Sequence, residues 1–409
     1  MNYTQNIFMQ NIWKLYAIRF FHNLIPAYVI ERLFWEQKGM TVQMVVYTEI
    51  IYAVTIVLLE IPTGIIADKW SRKKMKVIDA FLGCFEFLIL IYATEFWYFA
   101  LVVFLSGIGR SASSGSENAL LYDSLLLGGE AQSFEKYLGR LNACDFTASI
   151  LAALSGSLMA GRFGFNFNYW VSFIAMLVSL CISLKLVEPP IRNKADSEPI
   201  PIKNYVLDSI CFFKENRGVC LVLLAGMVIA ASMTFIDEFW QTYLNRLGIP
   251  VIYFGIFSAG ISLFRLPGNI LADAVKKRMS YRSLIAWVVF VFAAGLLYMC
   301  AVKGYSSLLV ILLVCIVSGI LEPLTAGYLH HRIDSSMRAT IDSFQSLGLR
   351  ATVIIMGLGF GFVSSRLDIF GGYGFISFIC IMFLIYFKIT SKNVIDENNR
   401  NSKVDGREI

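Results

Sequence analysis

Charged side chains stand inside the apolar runs of this sequence, and they are the residues that could do chemistry. Along the chain they are Arg19, His22, Glu31, Arg32, Glu49, Glu60, Asp79, Glu86, Arg110, Glu117, Asp145, Asp237, Glu238, Arg265, Glu322 and Arg350. An ionisable group in an apolar setting is costly to keep, so each is a candidate for solute binding or proton exchange. Both signs occur, so ion pairing is expected, and pairing is also the plain structural role for any one of them. A carboxylate in a low-dielectric cavity can bind and release a proton near neutral pH. Arg110 falls midway through its run, in "SGIGRSASSGSEN", and Glu117 lies two helical turns further on a similar face. Arg110, Glu31 and Asp237 lead the candidates for proton coupling or solute binding, with Glu238, Glu117, Glu322 and Arg19 beside them. Glu60 and Asp145 read as structural partners of Arg19 or Arg265, and His22 fits a hydrogen-bonded packing role as well as a proton carrier. Tyr28, Phe235 and Trp240 are aromatic candidates for the wall of a pocket, against the plain reading that they are core or interface residues.

Other chemistry is missing. There is no G-x-x-x-x-G-K-[ST] and so no nucleotide-driven pump, no H-E-x-x-H, and no G-x-S-x-G with triad partners. The eight cysteines form no C-x-x-C and sit almost all in apolar runs, as buried thiols do. No cofactor and no metal is expected.

The elements that must position these charges are membrane-spanning helices. The 409 residues are 57% hydrophobic and only 16% charged, against roughly 25% charge in soluble domains. The mean hydropathy is +0.65. A crossing needs about 20 mostly apolar residues. Twelve stretches qualify, near 13–35, 43–67, 75–94, 97–122, 138–161, 167–187, 218–243, 251–272, 284–302, 306–329, 342–364 and 373–390. They are too long and too evenly apolar for barrel strands, which alternate over about 10 residues. The start, "MNYTQNIFMQNIWKLY", has no basic leader and no cleavage site, so the first run is read as the first span.

Lys and Arg collect on one side of these spans, and the loops of the other side hold only Lys38, Arg162, Arg246, Lys303 and Arg366. Positive charge accumulates in the cytoplasm, so both termini are expected there, in a chain that crosses the cytoplasmic membrane. The net charge of +6 is therefore a topology signal rather than a nucleic-acid footprint. The partners implied are the lipid bilayer, a small solute and protons, with the chain acting as a monomer.

A long connection, 188–217, with adjacent prolines and several charges, divides the spans into bundles of six, 1–187 and 218–390. Around 205–213 its apolar spacing suits a short helix on the cytoplasmic surface. The polar tail, 391–409, is expected to be disordered. The halves repeat one another. Pro62, Ala67 and Asp68 recur as Pro267, Ala272 and Asp273, and Phe34-Trp35 recurs as Phe239-Trp240, all at an offset of 205.

The most specific stretch is the loop at 60–74, "EIPTGIIADKWSRKK", with a fainter copy, "RLPGNILADAVKKR", at 265–278. In Gly64, Asp68, Lys69, Ser71, Arg72, Lys73 and Lys74 the chain resembles the major facilitator superfamily, with Ser71 in place of the second glycine of the family's signature. The resemblance covers about 13–390. It implies an all-α membrane fold of twelve helices in two six-helix bundles related by pseudo-twofold symmetry, spans 1, 4, 7 and 10 lining a cavity, and transport by alternating access. It also implies a conformational latch of Asp68, Arg72 and Asp123 with Gly64 beside it, and Asp273 as the counterpart in the second half. An Arg in the fourth span, tied to proton coupling, is matched loosely by Arg110. The physical reading of Gly64 is that it lets two helices approach closely. Span five has Ser155-Gly156-Ser157 where the family's drug/proton antiporters carry Gly-Pro. The function implied is secondary transport, leaning to proton-coupled efflux of amphipathic compounds. Alternatives are a symporter taking up a small polar metabolite, a transporter-like receptor, or a membrane enzyme.

Overall fold

The structure, a computed structural model, describes residues 3–190, 216–330 and 338–404, almost wholly as helix. In the first half these are α1 (Tyr3–Asn23), α2 (Glu31–Gln37), α3 (Val42–Lys69), α4 (Arg72–Tyr92), α5 (Phe96–Gly128), α6 (Phe134–Phe163) and α7 (Phe165–Leu184). In the second they are α8 (Arg217–Arg246), α9 (Phe254–Lys276), α10 (Tyr281–Ala301), α11 (Ser306–His330) and α12 (Arg338–Val404). Among the described residues nine helices are long and apolar enough to cross a membrane. α4 falls outside that set because it carries several charges along its length, and α1 because its Asn and Gln residues lower its hydropathy. α12 contains the last two expected spans and turns between them at Leu367 and Asp368, where Asp368 takes φ 56° and its own Oδ1 accepts from Ile369 N at 2.8 Å. The expected surface helix at 205–213 lies outside the described residues, as do the side chains of Asp68, Asp273 and Glu322. α12 is described to Val404. No Gly or Pro interrupts the chain between 375 and 405, so nothing in its chemistry stops the helix.

The helices form two compact units, Met1–Ala195 with Leu244–Ala259, and Asp196–Tyr243 with Gly260–Ile409. In the first unit the expected single span 13–35 is broken. Proline has no N–H to donate and disfavours helix in the residue before it. α1 accordingly ends at Asn23, Ile25 is extended in ψ (φ −116°, ψ 89°), and a 3-10 turn, Pro26–Val29, leads into the short α2. Inside a membrane the freed backbone groups need protein partners, and α7 supplies them. Asn168 Nδ2 donates to Pro26 O at 2.9 Å and to Gly156 O at 2.8 Å, and Ala27 N donates to Ser172 Oγ at 3.0 Å.

Helix ends follow ordinary capping chemistry. Thr41 and Ser71 accept from the N–H groups of Met44 and Lys74 at 3.2 and 3.0 Å, and Gly129 closes α5 with φ 80°. α1 packs against α5, α6 and α7, while α4 lies between α5 and α7. Ile12, Leu15, Ile18, Leu120, Leu121, Leu125, Leu141 and Leu186 build the buried core at one end of this unit. At the other end of the α4–α5 contact, a Cβ on Gly109 would stand 3.0 Å from Asp79 Oδ1. Glycine there lets α5 come close enough to seat the charged face of α4.

In the second unit aromatic packing dominates. Phe235 stacks on Phe360 with ring centres 4.8 Å apart, Phe239 meets the same ring at 5.0 Å, and Tyr243 meets Phe370 and Tyr373 at 5.2 and 5.4 Å. α9 and α11 touch backbone to backbone at Gly268 and Gly319, where a Cβ would run into the facing helix.

Candidate functional site

The first unit lines an open cavity of about 650 Å³. Arg19, His22 and Asn23 reach it from the end of α1, Lys76, Asp79 and Glu86 from α4, Ser106, Arg110, Ser113, Glu117 and Asn118 from α5, and Asp145 from α6. The spacing on α4 explains why three of its residues share the wall: 76, 79 and 86 recur at intervals of three and seven, one face of a helix.

Most of the charges form one alternating chain. Lys76 is buried and has three ammonium hydrogens to place. It places all of them, on Glu117 Oε2 at 2.7 Å, Asp79 Oδ2 at 3.0 Å and Ser113 Oγ at 3.0 Å. Glu117 also accepts from Arg19 Nε, and Arg19 Nη1 pairs with Asp145. Asn23 Nδ2 completes the end by donating to Asp145 Oδ1 at 3.0 Å. The order is therefore Asp79, Lys76, Glu117, Arg19, Asp145, with each base shared between two acids. Charges this shielded from water require such pairing to be tolerated. Two groups stand outside the chain. Glu86 accepts from Ser106 Oγ and, at 3.3 Å, from Tyr28 Oη, and it has no cation within ion-pair reach among the described residues. Arg110 faces the cavity with no ion pair among the described residues.

Of the sequence candidates, Arg19, Glu117, Arg110 and Tyr28 stand around this one cavity, and Asp145 is one of two partners of Arg19. Other expectations are corrected. The cavity wall draws on all six spans of the first half, chiefly on spans four and three, and not only on spans 1 and 4. Lys76, which its position in the chain groups with the cytoplasmic basic residues, is a buried member of the site. Its signal is the Lys76–Asp79 spacing at the start of α4. Glu31 does not line the cavity. It begins α2 beside Arg32, which pairs with Glu49 at 2.8 Å. In the second unit Asp237 pairs with Arg265, the place given to Glu60. Phe235 and Trp240 are 4% and 6% exposed, so they are core residues of the second unit. The helix approach expected at Gly64 is absent, because a Cβ there would meet nothing within 4 Å.

At the loop after α3, Arg72 pairs with Asp123 and donates to Ala119 O at 3.3 Å. Glu188, which is not among the sequence candidates, caps the start of α4. Its carboxylate accepts from Arg72 N at 2.9 Å, Lys73 N at 2.8 Å and the Ser71 hydroxyl. An anion at a helix N-terminus takes up donors that the helix itself leaves unused.

Known proteins place this architecture. The family profile described as Major Facilitator Superfamily matches residues 15–341. An uncharacterized transporter of Buchnera aphidicola subsp. Acyrthosiphon pisum is 22% identical over 325 residues, 76% of this chain and 77% of the relative. Among solved structures, a point mutant of the nucleoside transporter NupG aligns with a TM-score of 0.76 at 15% identity, over 92% of this chain and 99% of that one. A D-xylose-proton symporter aligns with a TM-score of 0.68 at 10% identity, over 93% and 96%.

Proposed function

The chain belongs to the major facilitator superfamily, and on that premise we propose that it carries a small polar solute across the cytoplasmic membrane together with protons, using the cavity of its first unit as the solute site. It is a transporter and not an enzyme. The halves 1–187 and 218–390 act as the moving parts of an alternating-access cycle, both termini face the cytoplasm, and one chain suffices.

The cavity is the observation that carries this reading. Its volume of about 650 Å³ lies in the range of small-molecule sites. Its walls present hydroxyl, amide and charged groups, with Leu82 and Met176 as the larger apolar side chains among the lining residues. Such a lining favours a polar metabolite over the amphipathic compounds expected from the sequence, because an apolar body here would strip polar groups of water without replacing their bonds. The two tyrosines of the wall, Tyr28 and Tyr52, bring hydroxyls with their rings.

Coupling follows from charge. The acids Asp79, Glu86, Glu117 and Asp145 outnumber the bases Arg19, Lys76 and Arg110. A co-transported proton offsets that surplus when the site leaves water. The xylose symporter that shares the fold is named for proton coupling, which supports the same assignment. Glu31, Asp237, Glu238 and Glu322 are not part of the proposed site.

The test is flux into proteoliposomes under an imposed pH gradient, over a panel of sugars, nucleosides, amino acids and cationic dyes. Accumulation of a polar solute on the alkaline side, abolished by a protonophore, is the expected result. Movement of dyes alone, against the proton flow, would replace uptake by export. No gradient-driven movement of any solute would reject coupled transport.

A further inference from the structure

Five of the cavity's charges pair in the chain from Asp79 to Asp145, which keeps one net negative charge and leaves Glu86 and Arg110 over. These two have opposite signs and open onto the same cavity, yet they form no ion pair with each other. The geometry gives the reason. Glu86 is tethered by the Ser106 hydroxyl on α5 and by Tyr28. Arg110 lies one helical turn beyond Ser106 on the same helix, about 6 Å along its axis. The carboxylates of Glu31 and Asp79 lie near Glu86, and no cation pairs with it among the described residues. Arg110 is exposed and Glu86 half-buried, so both stay within reach of a ligand that brings both complements.

We propose that the solute is a zwitterion, an amino-acid-like molecule whose ammonium group meets Glu86 and whose carboxylate meets Arg110. This rests on the reading of the cavity as the solute site and deepens it. Such a ligand has no net charge, so its entry leaves the acid surplus to the coupling proton. Guanidinium and carboxylate match each other in planar, two-bond geometry, and Ser113, Ser114 and Asn118 offer donors and acceptors to the body between the poles.

The experiment uses the purified full chain and reads both thermal unfolding and proteoliposome uptake. The probes are glycine, 4-aminobutanoate and 6-aminohexanoate, against butylamine and butanoate with one charge each, and xylose and uridine with none. At least one zwitterion is expected to stabilise and enter, with the one-charge and neutral probes weaker by roughly tenfold or more. Glu86→Gln and Arg110→Gln should each weaken the zwitterion by a similar factor, and Glu86→Asp should keep part of its binding. An unligated unfolding midpoint close to the parent's marks the variants as folded. Equal or better binding of xylose or uridine, unmoved by either substitution, overturns the assignment, as does indifference to every zwitterion. Ser114→Trp fills the cavity and separates the two readings. If it blocks a neutral solute, the cavity stands as the site and the zwitterion falls. If it leaves transport unchanged, the cavity itself is not the site.

Discussion

Lys76 shows how much one residue can hold in this protein. Its side chain is 3% exposed and bridges two acids on different helices. Removing a buried charge while its partners remain typically costs about 3–5 kcal/mol. Lys76→Met should therefore lower the unfolding midpoint in detergent sharply and abolish transport, and Lys76→Met with Glu117→Gln should recover part of the stability. Equal loss in the single and double variants would mean that the two charges are not coupled. Asp123 makes a different kind of contact, partly exposed and close to the loop after α3. Pairs of this exposure contribute little to stability, about 0–1 kcal/mol. Asp123→Asn should thus leave the unfolding midpoint nearly unchanged. If the pair with Arg72 is a latch, the same variant slows transport several-fold with normal membrane insertion. Unchanged flux would reduce the pair to an anchor.

Elements are held together here by a few polar stitches among many apolar contacts. The break between α1 and α2 is one, since Asn168 satisfies both the Pro26 and the Gly156 carbonyls. Leaving buried groups without partners costs about 1–3 kcal/mol each. Asn168→Leu should lower the unfolding midpoint, whereas Asn166→Leu, two residues earlier on α7, should change it little. The α4–α5 contact is the other. Gly109→Val would force side-chain atoms against Asp79, displacing the acid that Lys76 holds. Overpacking of this kind costs about 1–3 kcal/mol. Transport should fail in that variant even in membranes where the protein is inserted, because the charged wall itself has moved.

On the scale of the whole molecule, the arrangement of basic loops makes a prediction of its own. Single cysteines at Lys74 and Lys277, in a background without the native ones, should both be labelled from the cytoplasmic side by a reagent that does not cross the bilayer. Labelling from opposite sides would end the reading of two repeated halves. The kind of elements, their membrane setting and the family were legible in the linear sequence, because hydropathy and the Gly64–Lys74 signature are local properties of the chain. Which charges meet was not. Arg19 and Asp145 are 126 positions apart and Lys76 and Glu117 are 41 apart, so their pairing depends on how α1, α4, α5 and α6 turn their faces toward one another. That turn is set by small residues, by the break at Pro26 and by the total packing of the unit. Lys76 looks like a loop charge and Phe235 like a pocket wall because residue type alone does not carry burial. The sequence by itself determined a transporter with charges within its membrane spans, and only the tertiary structure decided which of them pair and which two stand apart, since that depends on distances in space.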